Sequence, residues 1–240
     1  MHLKPVNSNV SKYYKDFQLE PSFGDKKNLK KEEYSLGQKS VVAATTALGV
    51  ATSCALLAKK AGYSLAPNKL FKDVKKSYLA KVHYEWPEVV AIGAGSCLGG
   101  LVGGYLIDKD KENRKVKQRE AIMHFGNIAI PIFTVGMVVD KLFKNANKWI
   151  KAGAGMAGIA VGLYLANFVT NKVCSTFYKD KSQERGVEVT DLPAHLDDAV
   201  VAAGYISKSK FIHALGRIIP IALLVAGNEV GTKTVEDLVK

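Results

Sequence analysis

Few side chains in this sequence have the types and spacing that catalysis or metal binding requires. In the motif "HLDD", His195 and Asp198 share a helix face at positions i and i+3, where they could hold a metal ion or act as an acid–base pair. No second ligand cluster such as H-E-x-x-H accompanies them. Aspartates in the first turn of a solvated helix give the same pattern, because they interact favourably with the helix dipole. A membrane enzyme is therefore the third of our functional hypotheses, and no cofactor is predicted.

Polar residues inside apolar segments form a second group of candidates. Arg217 lies in "FIHALGRIIPIALLVAG", residues 211–227, about 10 Å along a helix from Lys210 at 1.5 Å per residue. If this helix crosses a membrane, the Arg217 side chain either extends to the membrane surface or pairs with a carboxylate inside. Such a pair would be structural or would belong to a solute pathway. His213 lies one turn earlier on the same face. The carboxylates that could pair with Arg217 are Asp140, Asp197, Asp198 and Glu229.

The stretch "VVAIGAGSCLGGLVGGYLIDKDKENRK", residues 89–115, combines closely spaced glycines with a charged run. A dinucleotide-binding turn needs G-x-G-x-x-G, followed by a second strand that ends in an acidic residue. Here Leu98 occupies the position of the third glycine, and "DKDKENRKVKQRE" replaces the second strand. The phosphate-binding P-loop pattern is also missing, since no glycine precedes Lys and then Ser or Thr. The glycines therefore indicate helix packing rather than nucleotide binding.

The same glycines recur every four residues, at Gly95, Gly99 and Gly103, with a second pair at Gly100 and Gly104. This spacing leaves one helix face as bare backbone, and helices in a bilayer associate through such faces. The stretch resembles the glycine-zipper helices of assembling membrane proteins. Residues 152–171 repeat the theme, so we predict that these two segments contact each other, within one chain or between chains. The glycines of the second segment are Gly153, Gly155, Gly158 and Gly162.

Long uncharged segments must position these residues. Four windows contain no Asp, Glu, Lys or Arg, whereas the intervening segments are rich in Lys; the windows are residues 40–58, 89–107, 121–139 and 152–171. Each window is close to the 20 apolar residues that a membrane helix needs. Segment 211–227 is shorter and carries Arg217, so it is a weaker fifth candidate. The sequence predicts an all-α, multi-pass transmembrane bundle of four or five Gly/Ala-rich helices.

Two basic segments flank the uncharged windows. "PNKLFKDVKKSYLAKVHYEWPE" has apolar residues at helical spacing among lysines, which predicts a basic helix on the membrane surface. "DKLFKNANKWIKAG" is similar, although a plain basic linker explains it equally well. The net charge of +12 is spread beside apolar windows, which favours anionic lipid headgroups over nucleic acid as the partner. Residues 1–39 are polar and predict a disordered or partly helical tail, or an arm on the lipid surface.

Orientation and function follow from these segments only as hypotheses. More Lys and Arg fall on the side of the N-terminal tail, which predicts that the tail is cytoplasmic. The side of the C-terminus depends on whether segment 211–227 crosses the bilayer. The leading functional hypothesis is a scaffold or assembly component that associates through glycine-mediated helix packing, with itself or with other membrane proteins. The second is a transporter or channel for small solutes that uses the Arg217 region.

Overall fold

The computed structural model describes residues 34–62, 86–178 and 218–238, which all belong to one compact unit, Tyr34–Lys240. The described chain is helical and contains no strand, which confirms the all-α prediction. The helices are α1 (Leu36–Lys60), α2 (Trp86–Ile107), α3 (Lys111–Gly136), α4 (Lys148–Tyr178) and α5 (Ile219–Thr232). A π-helical stretch, Met137–Leu142, continues α3, and a 3₁₀ turn, Val235–Leu238, follows α5.

Four of these helices are long and apolar enough to cross a membrane, namely α1, α2, α4 and α3 with its π-helical stretch. Each contains one of the four uncharged windows. Helix α5 has 14 residues, and at 1.5 Å per residue it is about 21 Å long, short of the roughly 30 Å of a hydrocarbon layer. It runs five residues beyond the predicted segment 211–227, whose first seven residues lie outside the described chain.

All four long helices begin before their uncharged windows, and side-chain caps fix the starts of α1 and α3. Helix α1 starts at Leu36, inside the predicted tail 1–39, because Ser35 and Gln38 form a reciprocal capping box. Helix α3 starts at Lys111, so most of the charged run 108–120, which separates two of the uncharged windows, is helix rather than the loop that a division by charge predicts. The Asp110 side chain accepts hydrogen bonds from the free backbone amides of Glu112 and Asn113 in the first turn of α3. The Lys, Glu, Arg and Gln residues that follow are good helix formers. Residues 1–33 lie outside the described chain.

The first four helices pack successively, α1 on α2, α2 on α3 and α3 on α4, and α5 lies against α2, α1 and α3. Helices α1 and α2 are antiparallel, because Gly95 lies at Gly49 whereas Gly103 lies at Val42. Helix α5 is parallel to α2, because Leu223 lies at Ser96 and Gly231 at Gly104. The start of α1, the α2–α3 turn and the end of α5 therefore meet at one end of the bundle, which we call the Tyr34 end.

The glycines of α2 allow close backbone contact on two sides. A Cβ atom on Gly99 would overlap the backbone of Thr45 in α1, and one on Gly100 would overlap the carbonyl of Gly227 in α5. Gly95 and Gly103 also face α1, and Gly104 faces Gly231. At such short separations, dispersion and weak Cα–H hydrogen bonds join the helices directly through their backbones.

Within one chain the glycine face of α2 does not meet α4, so the intrachain form of that prediction is wrong. Gly158 and Gly162 of α4 lie instead against α3, where added Cβ atoms would meet the backbones of Val135 and Pro131. A bare helix face specifies close approach but not the identity of the partner. Here each glycine face packs on a helix that is adjacent in the chain, except where α5 also reaches α2.

We expect Gly100→Ala to destabilise the protein by about 1–3 kcal/mol, because the added methyl group has no space beside the Gly227 carbonyl. Gly153→Ala is the matched control, since a Cβ at Gly153 meets nothing within 4 Å and alanine favours the helix. Thermal unfolding in detergent would measure both. Equal melting temperatures for the two variants would contradict this account of the α2–α5 contact.

Candidate functional site

A row of buried polar side chains runs along one face of α3. Lys117, Glu120, His124 and Asn127 recur at intervals of three or four residues, which places them on a single helix face. Each is at most 2% exposed, although polar side chains of this size are normally solvated. We call these four residues the polar stripe. Its members lie in a helix that packs against α2, α4 and α5.

Lys117, at the outer end of the stripe, is bound by three oxygen atoms from three separate segments. Its Nζ lies 2.7 Å from the Tyr34 hydroxyl, 3.2 Å from Asp108 Oδ2 and 2.7 Å from the carbonyl oxygen of Lys233. These contacts use all three protons of the ammonium group, which is fully buried. Gly104 leaves space for the lysine stem, since a Cβ there would lie 2.7 Å from Lys117 Cδ.

Asp108 and Tyr34 complete this ionic cluster. The Tyr34 hydroxyl donates a hydrogen bond to Asp108 and accepts one from Lys117. Burial alone raises the pKa of the Asp108 carboxyl, but the hydrogen bonds from Tyr34 and the Asp110 amide, together with the Lys117 charge, hold that pKa below its usual value. Burial and the neighbouring Asp108 carboxylate raise the pKa of Tyr34, so the phenol stays protonated and remains a donor.

The α2–α3 turn beside this cluster is held by side chains that bind backbone groups. Arg114 donates to the carbonyl oxygens of Asp108 at 2.9 Å and Tyr105 at 3.0 Å, where α2 ends and its carbonyls lack helical partners. Asn113 accepts a hydrogen bond of 3.0 Å from the backbone amide of Val235, just after α5. The Tyr34 end is therefore braced between α1, α2, α3 and the segment after α5.

One and two turns further along α3, Glu120 and His124 meet Glu229 of α5. His124 Nε2 lies 3.2 Å from Glu229 Oε2 and 3.7 Å from Glu120 Oε2. The side chains of His124 and Glu120 are 1% and 3% exposed, whereas that of Glu229 is 23% exposed. We call these three residues the acid–histidine cluster. Glu229 Oε2 is within hydrogen-bond distance of the imidazole nitrogen, whereas Glu120 Oε2 is not, and Glu229 is the most exposed of the three residues.

The inner end of the stripe is Asn127, whose amide nitrogen and oxygen have no hydrogen-bond partner among the described residues. The Thr46 hydroxyl of α1, 1% exposed, is also without one in the described chain. Ser96 differs, because its hydroxyl donates to the Leu223 carbonyl and accepts from the Gly227 amide at 3.1 Å. Buried polar groups without partners cost free energy, so Asn127 and Thr46 are costly in the described part of the chain.

Of the polar residues that the sequence singles out, the structure describes Asp140 and Glu229. Asp140, predicted to be a polar residue within a membrane span, is exposed in the π-helical stretch at the far end of α3. Glu229, one of the carboxylates considered for Arg217, lies beside His124. The predicted sites at Arg217, His213, His195 and Asp198 fall outside the described residues, as do most of the basic segment before α2 and the segment before α5.

Sequence reasoning missed the polar stripe. The available signal was the i, i+3, i+7, i+10 spacing of Lys117, Glu120, His124 and Asn127, which crosses the boundary between the charged run and the uncharged window. A division of the chain by charge hides this pattern, because it assigns two members to a loop and two to a span. Within residues 34–62, 86–178 and 218–238, no three His, Cys, Asp or Glu side chains are grouped to hold a metal ion.

The fold and the stripe define an all-helical protein with four helices that are long and apolar enough to cross a membrane, and with ionisable groups buried between two of its helices. Comparison with known proteins finds no matching family model, curated protein or solved structure.

We expect Asp108→Asn to lower the stability of the protein at neutral pH, by up to about 3–5 kcal/mol, because it leaves the buried Lys117 ammonium without its counter-charge. The wild-type protein should also lose stability in acid. Since the pKa of Asp108 is lowered in the folded state, its contribution is complete above the unfolded value of about 3.9 and disappears as the pH falls through the folded value.

Thermal unfolding in detergent between neutral and acidic pH would measure both effects, and Asp108→Asn should show a shallower loss in acid than the wild type. Glu112→Gln is the control, since its exposed pair with Lys115 should contribute little. An Asp108→Asn variant with wild-type stability at neutral pH would show that Tyr34 and the Lys233 carbonyl are sufficient for Lys117.

Proposed function

We propose that the protein is a multi-pass integral membrane protein that transfers protons, and that the acid–histidine cluster is its protonation site. The observation that carries this proposal is the position of His124 Nε2, 3.2 Å from Glu229 and 3.7 Å from Glu120, in the buried interior between α3 and α5. The proposal belongs to the transporter class of the sequence analysis but assigns it a different site.

The membrane location is supported by the outer surfaces of the helices. Leu98, Leu106 and Phe133 are 62%, 65% and 55% exposed, and Tyr164 and Phe168 of α4 are 73% and 63% exposed. A soluble protein rarely exposes so many large apolar side chains, whereas a lipid environment accommodates them. The four helices of membrane length carry most of these residues.

Proton transfer is supported by the cost of keeping this cluster buried. Ionisable side chains inside membrane helices are expensive, and where they persist they commonly belong to ion pathways or proton relays. Histidine is the side chain best suited to proton exchange near neutral pH, and a carboxylate within hydrogen-bond distance, as Glu229 is, can give or take that proton. His124 lies about 6 Å beyond Glu120 along α3, so the cluster extends from the edge of the uncharged window into it.

The exposed outer face of α4 supports the assembly hypothesis, whereas the glycine contacts do not. The glycine contacts of α2 and α4 with neighbouring helices lie within one chain, so they contribute to folding. Helix α4, however, packs mainly on α3 and its π-helical extension, which leaves Met156, Tyr164 and Phe168 on its outer face. As a second proposal, this face associates with another copy of the chain or with another membrane protein. The cytoplasmic location of the N-terminal tail remains a prediction.

Proton flux into vesicles would test the main proposal. We expect vesicles that contain the purified protein and a pH-sensitive dye to acidify faster than protein-free vesicles under an inward proton gradient. His124→Gln and Glu229→Gln should each lower that flux by at least about tenfold, because each removes a group that exchanges the proton.

Glu112→Gln is the matched control, because it removes an exposed carboxylate from the same helix. Its flux should equal that of the wild type, and correctly folded His124→Gln protein should keep its helical circular dichroism spectrum. Wild-type flux in both cluster variants, or no flux above protein-free vesicles, would overturn the proton proposal. Crosslinked dimers through α4 in such inactive vesicles would then favour the assembly proposal.

A further inference from the structure

The connection between α3 and α4 is short, basic and apolar at once. The π-helical stretch ends at Leu142, and α4 begins at Lys148 after Asn147, whose side chain accepts the Ile150 amide at 2.9 Å. We call residues 140–151 the α3–α4 turn. Its lysines are Lys141, Lys144, Lys148 and Lys151, and its large apolar residues are Leu142, Phe143, Trp149 and Ile150.

The apolar side chains of this turn are directed away from the bundle. Leu142 and Trp149 are 74% and 67% exposed, and Phe143 and Ile150 are 39% and 49% exposed. Four such side chains within one short turn are unfavourable in water, because each leaves apolar area in contact with solvent. Tryptophan in particular is enriched where an apolar layer meets polar groups, as it does at the headgroup level of a bilayer.

The charge of the turn is poorly balanced. Its four lysines are accompanied by a single acidic residue, Asp140, and the first turn of α4 contains no acidic residue at all. Lys148 and Lys151 therefore lie at the positive end of the α4 dipole, where cations disfavour the helix. At the Tyr34 end, by contrast, Lys115 pairs with Glu112 at 2.7 Å and Lys117 with Asp108. Anions from outside the described chain would offset the excess at the turn.

The depth of the turn is set by α3. The uncharged window 121–139 has 19 residues and spans about 28 Å of helix, which matches the hydrocarbon thickness of a bilayer. The turn begins directly after this window, at the level of the headgroups. The Lys148 ammonium lies 5.7 Å from the centre of the Trp149 ring, so a cation and an aromatic ring are presented together.

We propose that the α3–α4 turn is a binding surface for anionic phospholipid headgroups, an inference that depends on the proposed membrane location but not on proton transfer. The lysines bind the phosphate and other anionic groups, while Trp149 and Phe143 insert beside the glycerol backbone. Each lysine near an anionic surface contributes to this attraction. The turn would then recruit anionic lipids from a mixed bilayer.

Fluorescence of Trp149 tests this directly. The chain has two tryptophans, so Trp86→Phe leaves Trp149 as the single reporter. The protein is reconstituted in vesicles of equal parts phosphatidylglycerol and phosphatidylcholine, with one lipid at a time carrying bromine on its acyl chains to quench nearby tryptophan. We expect brominated phosphatidylglycerol to quench at least about twofold more strongly than brominated phosphatidylcholine, because four lysines enrich the anionic lipid.

Matched charge variants separate the turn from the charge of the whole protein. Changing Lys141, Lys144, Lys148 and Lys151 to Gln should remove the preference. The same change at four exposed lysines of the Tyr34 end, Lys39, Lys109, Lys111 and Lys115, should leave it intact. Equal quenching by the two lipids in the protein with native lysines would overturn the proposal. No quenching by either lipid would also overturn it, because it would show that Trp149 does not contact the bilayer. Loss of the preference on adding inorganic phosphate would make the turn a site for free phosphate instead.

Discussion

Close backbone contact on both sides of α2 is the constraint on which the remaining structure depends. Gly99 admits the backbone of α1, and Gly100 admits that of α5. Because α5 lies directly on α2, it can also reach α3, and only then does Glu229 approach His124. A side chain at Gly100 would separate α5 from α2 and would therefore move Glu229 as well. The close packing of α5 on α2 and the approach of Glu229 to His124 thus both depend on glycines that carry no Cβ atom.

The ionic cluster at the Tyr34 end fixes α5 along its axis. Glycine contacts allow helices to approach but resist sliding weakly, whereas hydrogen bonds select one register. Lys117 binds the Lys233 carbonyl, one turn beyond Glu229, and Ser96 binds the backbone of α5 nearer its start. Burial of a lysine is expensive, and it is tolerated here because three oxygens bind the ammonium and Asp108 supplies the counter-charge. The hydrogen bonds of Lys117 and of Ser96 with the backbone of this segment therefore lie on either side of Glu229.

The sequence predicts the helices of this fold well and their partners poorly. Freedom from charge over about 20 residues is a property of a segment, so windows such as 121–139 identify helices without knowledge of the fold. The partner of a glycine face depends on which surface lies opposite, so the spacing of Gly158 predicts close packing but does not identify α3 as its partner. The absence of Asp, Glu, Lys and Arg from residues 121–139 does not reveal the stripe, because His124 and Asn127 are polar residues of other types. The contact between His124 and Glu229 joins residues 105 positions apart, and no local pattern reports it.

The placement of the acid–histidine cluster also bears on how proton transfer would operate. Glu229, the most exposed member, lies one turn from the Tyr34 end, whereas about 24 Å of α3 separates His124 from Asp140 at the other end. Along that distance the next polar members of the same face are Asn127 and Thr134, and the Thr134 hydroxyl already donates to backbone carbonyls, including that of Gly158 at 3.0 Å. A continuous proton wire needs closely spaced exchangeable groups, which this segment lacks in the described structure. On the proposed function, protons would therefore reach His124 from the Tyr34 end, through Glu229, rather than along α3 from the Asp140 end.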